Sequence, residues 1–166
     1  GSGYLTTPTV TISSPFSGTS GVTAIANIVG ETASSGGNIN TKYISRRVTL
    51  EDGFDASDLK VIVNAYKPLG SGLHVYFKVK SDEDPEDFDK KDYVLMSQET
   101  PSSVFSLTEG DTKELVFKSA NDAITYTSSN VTYEKFKTFA IKIALTSNNA
   151  TVIPKVRDMR AIALDE

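Results

Sequence analysis

Alternating apolar and polar side chains are clearest between Leu59 and Ser81, where the pattern predicts two β-strands. Side chains two residues apart share one face of a strand, so each strand has an apolar face. The apolar positions are Leu59, Val61, Val63, Ala65, Leu73, Val75, Phe77 and Val79. Pro68 fixes the backbone and Gly70 permits positive φ, so the chain should turn there. We therefore predict a β-hairpin whose apolar face packs on a second sheet.

Further short strands follow from the same kind of pattern. Candidates run from Tyr43 to Leu50, from Glu114 to Lys118, from Ile124 to Thr127 and from Phe139 to Leu145, and a last run ends at Leu164. Between Ser128 and Lys135 the sequence is equally compatible with one helical turn or with an extended chain. About eight or nine short strands without a long helix predict an all-β protein, a β-sandwich of jelly-roll type.

The composition changes near residue 40. Residues 1–40 are rich in Gly, Ser and Thr, contain no Lys or Arg, and have Glu31 as their only acid. Two runs in this part, Thr9–Ile12 and Val22–Val29, have strand character. We predict a small Gly-rich β segment over residues 1–40, followed by the β-sandwich domain over residues 41–166.

Composition and charge exclude several classes of function. The chain of 166 residues has a net charge of −4 and no basic run longer than a pair, which argues against binding to nucleic acid. It has no apolar stretch of about 18 residues, so no membrane span is expected. Without Cys and with a single His, it offers neither a thiolate zinc site nor a multi-His site, and no cofactor is predicted.

An acidic loop from Asp82 to Asp92 is the densest cluster of charged side chains. Clustered carboxylates are the ligands that Ca²⁺ prefers, but the spacing here departs from the EF-hand pattern because Asp87 stands where that pattern needs Gly. The other interpretation is a solvated loop, and no metal site is predicted. Paired carboxylates alone do not indicate a glycosidase, and no nucleophile motif is present, so no catalytic residues are assigned.

Three side chains are candidate ligand or interface residues: Tyr66, Tyr76 and His74. All three are predicted on strand faces opposite the apolar positions. Exposed tyrosines can stack on sugars, or they can pack under a loop or against another subunit. The absence of Trp weakens the sugar interpretation, since it removes the largest stacking surface.

Two parts of the sequence are similar to bacteriophage proteins. GSGYLTTPTVTI followed by SGTSGVTAIANIV resembles a Gly-rich β-repeat of phage tail and fibre proteins, with landmarks at Gly1, Gly3, Tyr4, Pro8, Val10, Gly18, Gly21, Ala24 and Ala26. Residues 41–164 resemble virion structural proteins of contractile-tailed phages of the cyanophage type. Their landmarks are Tyr43, Ile44, Arg46, Val48, Leu50, Gly53, Phe54, Asp55, Leu59, Ala65, Tyr66, Pro68, Val75 and Tyr76, and then Phe139, Ile141, Lys142, Pro154, Val156, Asp158, Arg160 and Leu164.

This resemblance implies a non-enzymatic component of a virion, in a tail, baseplate or fibre, that acts through assembly with other virion proteins. It also implies a homo-oligomer, with a trimer as the usual choice in fibres. The alternative is a receptor- or carbohydrate-binding module of a phage tail protein that contacts a glycan on the host surface. The family offers no catalytic residues to transfer to this chain.

Overall fold

The computed structural model describes residues 30–121 and 123–165, whose regular secondary structure is almost entirely β-strand. The strands are β1 (Lys42–Ile44), β2 (Val48–Thr49), β3 (Asp58–Tyr66), β4 (Ser71–Lys80), β5 (Val94–Leu95), β6 (Ser97–Gln98), β7 (Lys113–Lys118), β8 (Tyr126–Ser128), β9 (Val131–Tyr133), β10 (Thr138–Ser147) and β11 (Lys155–Leu164). One turn of 3₁₀-helix, Phe88–Lys90, lies between β4 and β5. The strand candidates before residue 30 lie outside the described residues.

Two antiparallel sheets form a sandwich. The first sheet has the order β1–β10–β4–β5, with β2 also paired to β10, and the second has the order β11–β3–β7–β6. Inward-facing side chains of both sheets make one apolar core, which includes Val63, Val75, Phe117 and Ile141. The prediction of an all-β sandwich is confirmed.

The predicted hairpin of β3 and β4 is wrong. The two strands have the expected bounds and apolar faces, but they belong to different sheets and face each other across the core. β3 pairs with β7 and β11, while β4 pairs with β10 and β5. The turn at Pro68–Gly70 therefore carries the chain from one layer to the other. Asn148, in the connection from β10 to β11, donates its backbone N–H to Gly70 O at 3.0 Å.

The two long sides of the sandwich differ. On one side, which we call the closed side, β5 pairs with β4 and β6 pairs with β7, and the chain crosses between the sheets at Met96. Met96 is buried and donates its backbone N–H to Val75 O at 2.8 Å. On the other side, which we call the open side, β1 and β2 border the first sheet and β11 borders the second. In the described part of the chain, no strand pairs with the outer edge of β11.

The segment after β7 forms a small hairpin of β8 and β9, not a helical turn. Ser129 and Asn130 at its tip have φ values of 50° and 64°. Asn tolerates this left-handed region better than most residues, and two such positions in succession suit a tight hairpin turn. Of the alternatives left open by the sequence, the extended chain is the one observed.

Candidate functional site

The outer face of the first sheet is covered, although its sequence is polar. Residues 30–40 and the loop before β5 lie over it, and Tyr76, Tyr93, Ile39 and Ala144 form a second apolar cluster there. Tyr93 donates its backbone N–H to Thr32 O at 2.6 Å, which ties the two covering segments together. This face is therefore a second buried layer.

Lys142 of β10 lies at the centre of this layer and is completely buried. Its ammonium donates to the backbone oxygens of Glu31 and Gly36, and it contacts the Glu31 carboxylate at 3.3 Å. The Nζ atom also lies 4.1 Å from the ring centroid of Tyr76 and 5.2 Å from that of Tyr93. Cation–π contacts and hydrogen bonds together compensate part of the cost of removing this charge from water.

Glu31 is held as an anion by the same cluster. Burial acts to raise its pKa, but hydrogen bonds from the backbone N–H groups of Ile39 and Asn38, both at 2.8 Å, and from Lys142 outweigh burial and lower it. For Lys142 the balance is different, because burial lowers the pKa and the attraction of Glu31 offsets only part of that effect. The pair anchors residues 30–40 on β10.

The acidic loop contains its own counter-ion. Lys91 Nζ lies 2.5 Å from Asp84 and 2.6 Å from Glu86, with Asp84 only 1% exposed. The Tyr126 hydroxyl donates to Asp84 at 2.9 Å, and the Ser128 hydroxyl lies 3.1 Å from the same carboxylate. The lysine ammonium thus occupies the position that a cation would take. Among the described residues, no cluster of three His, Cys, Asp or Glu side chains could hold a metal ion.

The charges in this network stabilise one another. Burial acts to raise the pKa of Asp84, but Lys91 and the hydrogen bonds from Glu86 N–H, Tyr126 and Ser128 together lower it from 3.8 to about 2. Burial acts to lower the pKa of Lys91, but Asp84 and Glu86 outweigh burial and raise it. Because its partners come from β8 and from the loop itself, the network fixes the loop against the β8–β9 hairpin.

The three candidate residues do not form one site. Tyr76 is only 2% exposed, so its ring offers no surface to a sugar, and the expectation of an exposed pair of tyrosines is wrong for this residue. Tyr66 is half-buried and ends β3 in the other sheet. His74 is half-buried on the first sheet, where burial and then the charge of Lys67 lower its pKa. For Tyr66 and His74, a role in ligand binding or at an interface stays a prediction.

Tyr66 lines an open pocket at one end of the sandwich, which we call the end pocket. Its volume is about 440 Å³, and its walls come from the β3–β4, β6–β7 and β10–β11 connections. Three of its apolar side chains are strongly exposed: Leu69, Leu107 and Ile153. Polar groups of Ser106, Thr151, Glu109 and Lys155 complete the lining.

A second, larger groove of about 790 Å³ lies on the open side, between β1 and β11. Core residues such as Ile143 and Met159 form its floor. Tyr43 is 55% exposed beside it, and Ile44 and Val48 of the same sheet border are also exposed. On β11, the exposed apolar side chains are Ile162 and Leu164. The open side therefore combines exposed apolar side chains with strand edges that no other described strand pairs with.

Sequence reasoning missed the buried charges. Strand alternation places Lys142 and Tyr76 on the polar face correctly, but it gives no sign that residues 30–40 cover that face. The only available signal was Glu31, the single acid in an otherwise uncharged stretch, which must find a cation if it is buried.

Comparisons with known proteins do not show a family for this chain. No protein-family model matches the chain, and no curated protein matches its sequence. Among solved structures, the chain is similar to the VP2 subviral particle of infectious bursal disease virus, with a TM-score of 0.31 and 9% sequence identity over 74% of this chain. The match spans 31% of the VP2 chain. None of the described residues forms a helix long and apolar enough to cross a membrane.

Proposed function

We propose that this chain is a structural component of a bacteriophage virion, in a tail, baseplate or fibre, and that it acts by assembly with other virion proteins and not by catalysis. The observation that carries the proposal is the exposure of three residues that belong to the phage-like sequence pattern. Tyr43, Ile44 and Val48 belong to that pattern, yet they lie exposed on the open side instead of in the core. Exposed apolar side chains next to free strand edges are features of protein–protein contact surfaces.

The rest of the molecule suits a rigid assembly unit. Met96 closes one side of the sandwich, the Lys142–Glu31 cluster fixes residues 30–40 to the first sheet, and the Lys91–Asp84 cluster fixes the acidic loop to the β8–β9 hairpin. A rigid unit loses little conformational entropy when it binds a neighbour. Among the described residues, the open side and the end pocket carry the largest groups of exposed apolar side chains.

The test is the composition of particles purified from the virus whose genome encodes this chain. Peptide mass spectrometry should find the chain in the particle, and gold-labelled antibodies against it should mark the tail. Purified particles that lack the chain would refute the proposal. Labelling of the capsid alone would refute the tail assignment but not the structural role.

A second candidate function is glycan binding in the end pocket. The specific observation in its favour is Tyr66, an aromatic side chain beside hydroxyl, carboxylate and ammonium groups in an open pocket. Tyrosine rings stack on sugars, and the polar groups could bond to sugar hydroxyls. Saturation-transfer NMR with host-surface glycans tests this function. Tyr66→Ala should abolish the signal, whereas Tyr43→Ala on the open side should not change it.

A further inference from the structure

We propose that the open side binds a second copy of this chain, with the two β11 strands pairing antiparallel across a twofold axis. The inference rests on the proposed assembly function and identifies the partner and the contact. This pairing joins the second sheets of the two copies into one continuous sheet. The open grooves of the two copies then face each other. Three features of the open side support this pairing: the free edge, the symmetry and the charges.

The first feature is the free edge of β11. β11 has ten residues, Lys155–Leu164, of which all but the bulged Arg157 pair with β3 on one side, and in residues 30–121 and 123–165 nothing pairs with the other side. An unpaired strand of this length presents a row of backbone donors and acceptors that another strand can satisfy. β1 and β2, with three and two residues, offer much less.

The second feature is symmetry. Both sheets end on the same side of the sandwich, because Met96 closes the opposite side. A surface that contains both borders meets an identical surface most simply through a twofold axis, since each copy then gives and receives the same contacts. A head-to-tail arrangement would need a complementary edge on the closed side, where β5 and β6 contribute only two residues each.

The third feature is the charge pattern, which selects one register. Asp158 and Arg160 lie on the outer face of β11, on either side of the inward-facing Met159. In an antiparallel pair centred on Met159, Asp158 of each copy lies directly opposite Arg160 of the other. Centring on Asp158 would oppose two acids, and centring on Arg160 would oppose two bases. Opposite charges on facing strands stabilise a sheet, and like charges destabilise it.

The start of β11 limits this pairing to the centre of the strand. In the register centred on Met159, residues 161–164 of one copy lie opposite residues 154–157 of the other. A β-bulge between Val156 and Asp158, with Lys155 and Arg157 exposed around it, disrupts regular pairing there. The contact is therefore centred on residues 158–160, where the charges select the register.

Arg160 already contacts two carboxylates of its own chain, Glu114 at 2.7 Å and Asp158 at 3.8 Å, and all three side chains are more than half exposed. Such exposed pairs contribute between 0 and about 1 kcal/mol each, so they do not prevent Arg160 from contacting Asp158 of a second copy. The guanidinium has five N–H donors and can contact more than one acid.

The experiment is light scattering coupled to size-exclusion chromatography over a wide range of concentrations. The wild-type chain should form a dimer. Asp158→Arg and Arg160→Asp should each give a monomer, because each creates like-charge pairs across the axis. The double variant D158R/R160D should restore the dimer. Asp87→Arg, an exposed reversal in the loop between β4 and β5, is the control and should leave the dimer unchanged.

Three outcomes would overturn the inference: a monomeric wild type at every concentration, a trimer, or a dimer that neither single reversal weakens. Circular dichroism of each variant separates loss of pairing from loss of folding. A single variant that fails to fold is replaced by Asp158→Lys or Arg160→Glu, which reverses the same charge with a different side chain. A monomeric chain that is nevertheless present in purified particles would refute only this inference and leave the proposed function intact.

Discussion

Replacing Asp84 with asparagine tests whether the buried ion-pair network holds the acidic loop in place. The change keeps the size of the side chain and removes its charge. The new amide would face Lys91, which now lies 2.5 Å from the carboxylate, and one of the donors from Tyr126 and Ser128 would lose its acceptor. Glu86 would remain as the only acid beside Lys91.

The expected loss follows from two estimates. The pKa of Asp84 falls from 3.8 to about 2 on folding, and at about 1.4 kcal/mol per pKa unit this is worth roughly 2 kcal/mol at neutral pH. Removing one partner of a buried ion pair costs about 3–5 kcal/mol in other proteins. Because Glu86 still compensates Lys91, we expect Asp84→Asn to lower the free energy of unfolding by about 3 kcal/mol.

The pH dependence gives a sharper test. A carboxyl group with a lowered pKa stabilises the folded state above its unfolded value of 3.8, and this stability is lost as the pH falls through about 2. Urea unfolding of the wild type should therefore show a loss of roughly 2 kcal/mol over this window that the variant lacks. Asp87→Asn, at an exposed site in the same loop, should change stability by less than about 0.5 kcal/mol. If Asp84→Asn is as stable as the wild type, or keeps the same acid dependence, the network does not hold the loop.

Three further predictions concern other parts of the fold. Lys142→Met should destabilise the protein by about 3 kcal/mol and increase hydrogen exchange in residues 30–40, because the buried Glu31 loses its cation; unchanged exchange there would contradict the proposed anchoring. Gly37→Ala should lower the melting temperature, since φ is +77° and an added Cβ would lie 2.5 Å from Gly30 O, whereas Gly110→Ala, with open space around it, should not. Phe117→Ala should cost about 3–5 kcal/mol in urea unfolding, and a loss below about 1 kcal/mol would argue against its place in the core.

The fold class was predictable because strand alternation reports burial directly. The apolar faces of β3, β4 and β10 are the ones that the sequence indicates. Pairing was not predictable from the same signal. A turn that contains Pro68 and Gly70 can join two neighbours in one sheet or two strands in opposite sheets, and both arrangements bury the same side chains.

The burial of the outer face of the first sheet could not be predicted from the sequence, for a related reason. His74, Tyr76 and Lys78 alternate with the core residues and look like a solvent face, yet only His74 is partly exposed. Burial of the other two depends on loops that are distant in sequence, and local periodicity carries no information about them. The acidic loop likewise looks solvated in the sequence, because the contact between Lys91 and Asp84 forms only when the loop is folded.

Lysine cross-linking in purified virus particles, read out by mass spectrometry, is the direct test of assembly through the open side. Lys42 lines the groove of the open side, and Lys90 lies in the exposed loop between β4 and β5. Lys155 is the first residue of β11, at the margin of the open side, and it also lines the end pocket. Assembly through this side predicts cross-links from Lys42 and Lys155 to a second copy of the chain or to a neighbouring virion protein, and few from Lys90. Cross-links between chains that involve Lys90 but neither lysine of the open side would contradict it.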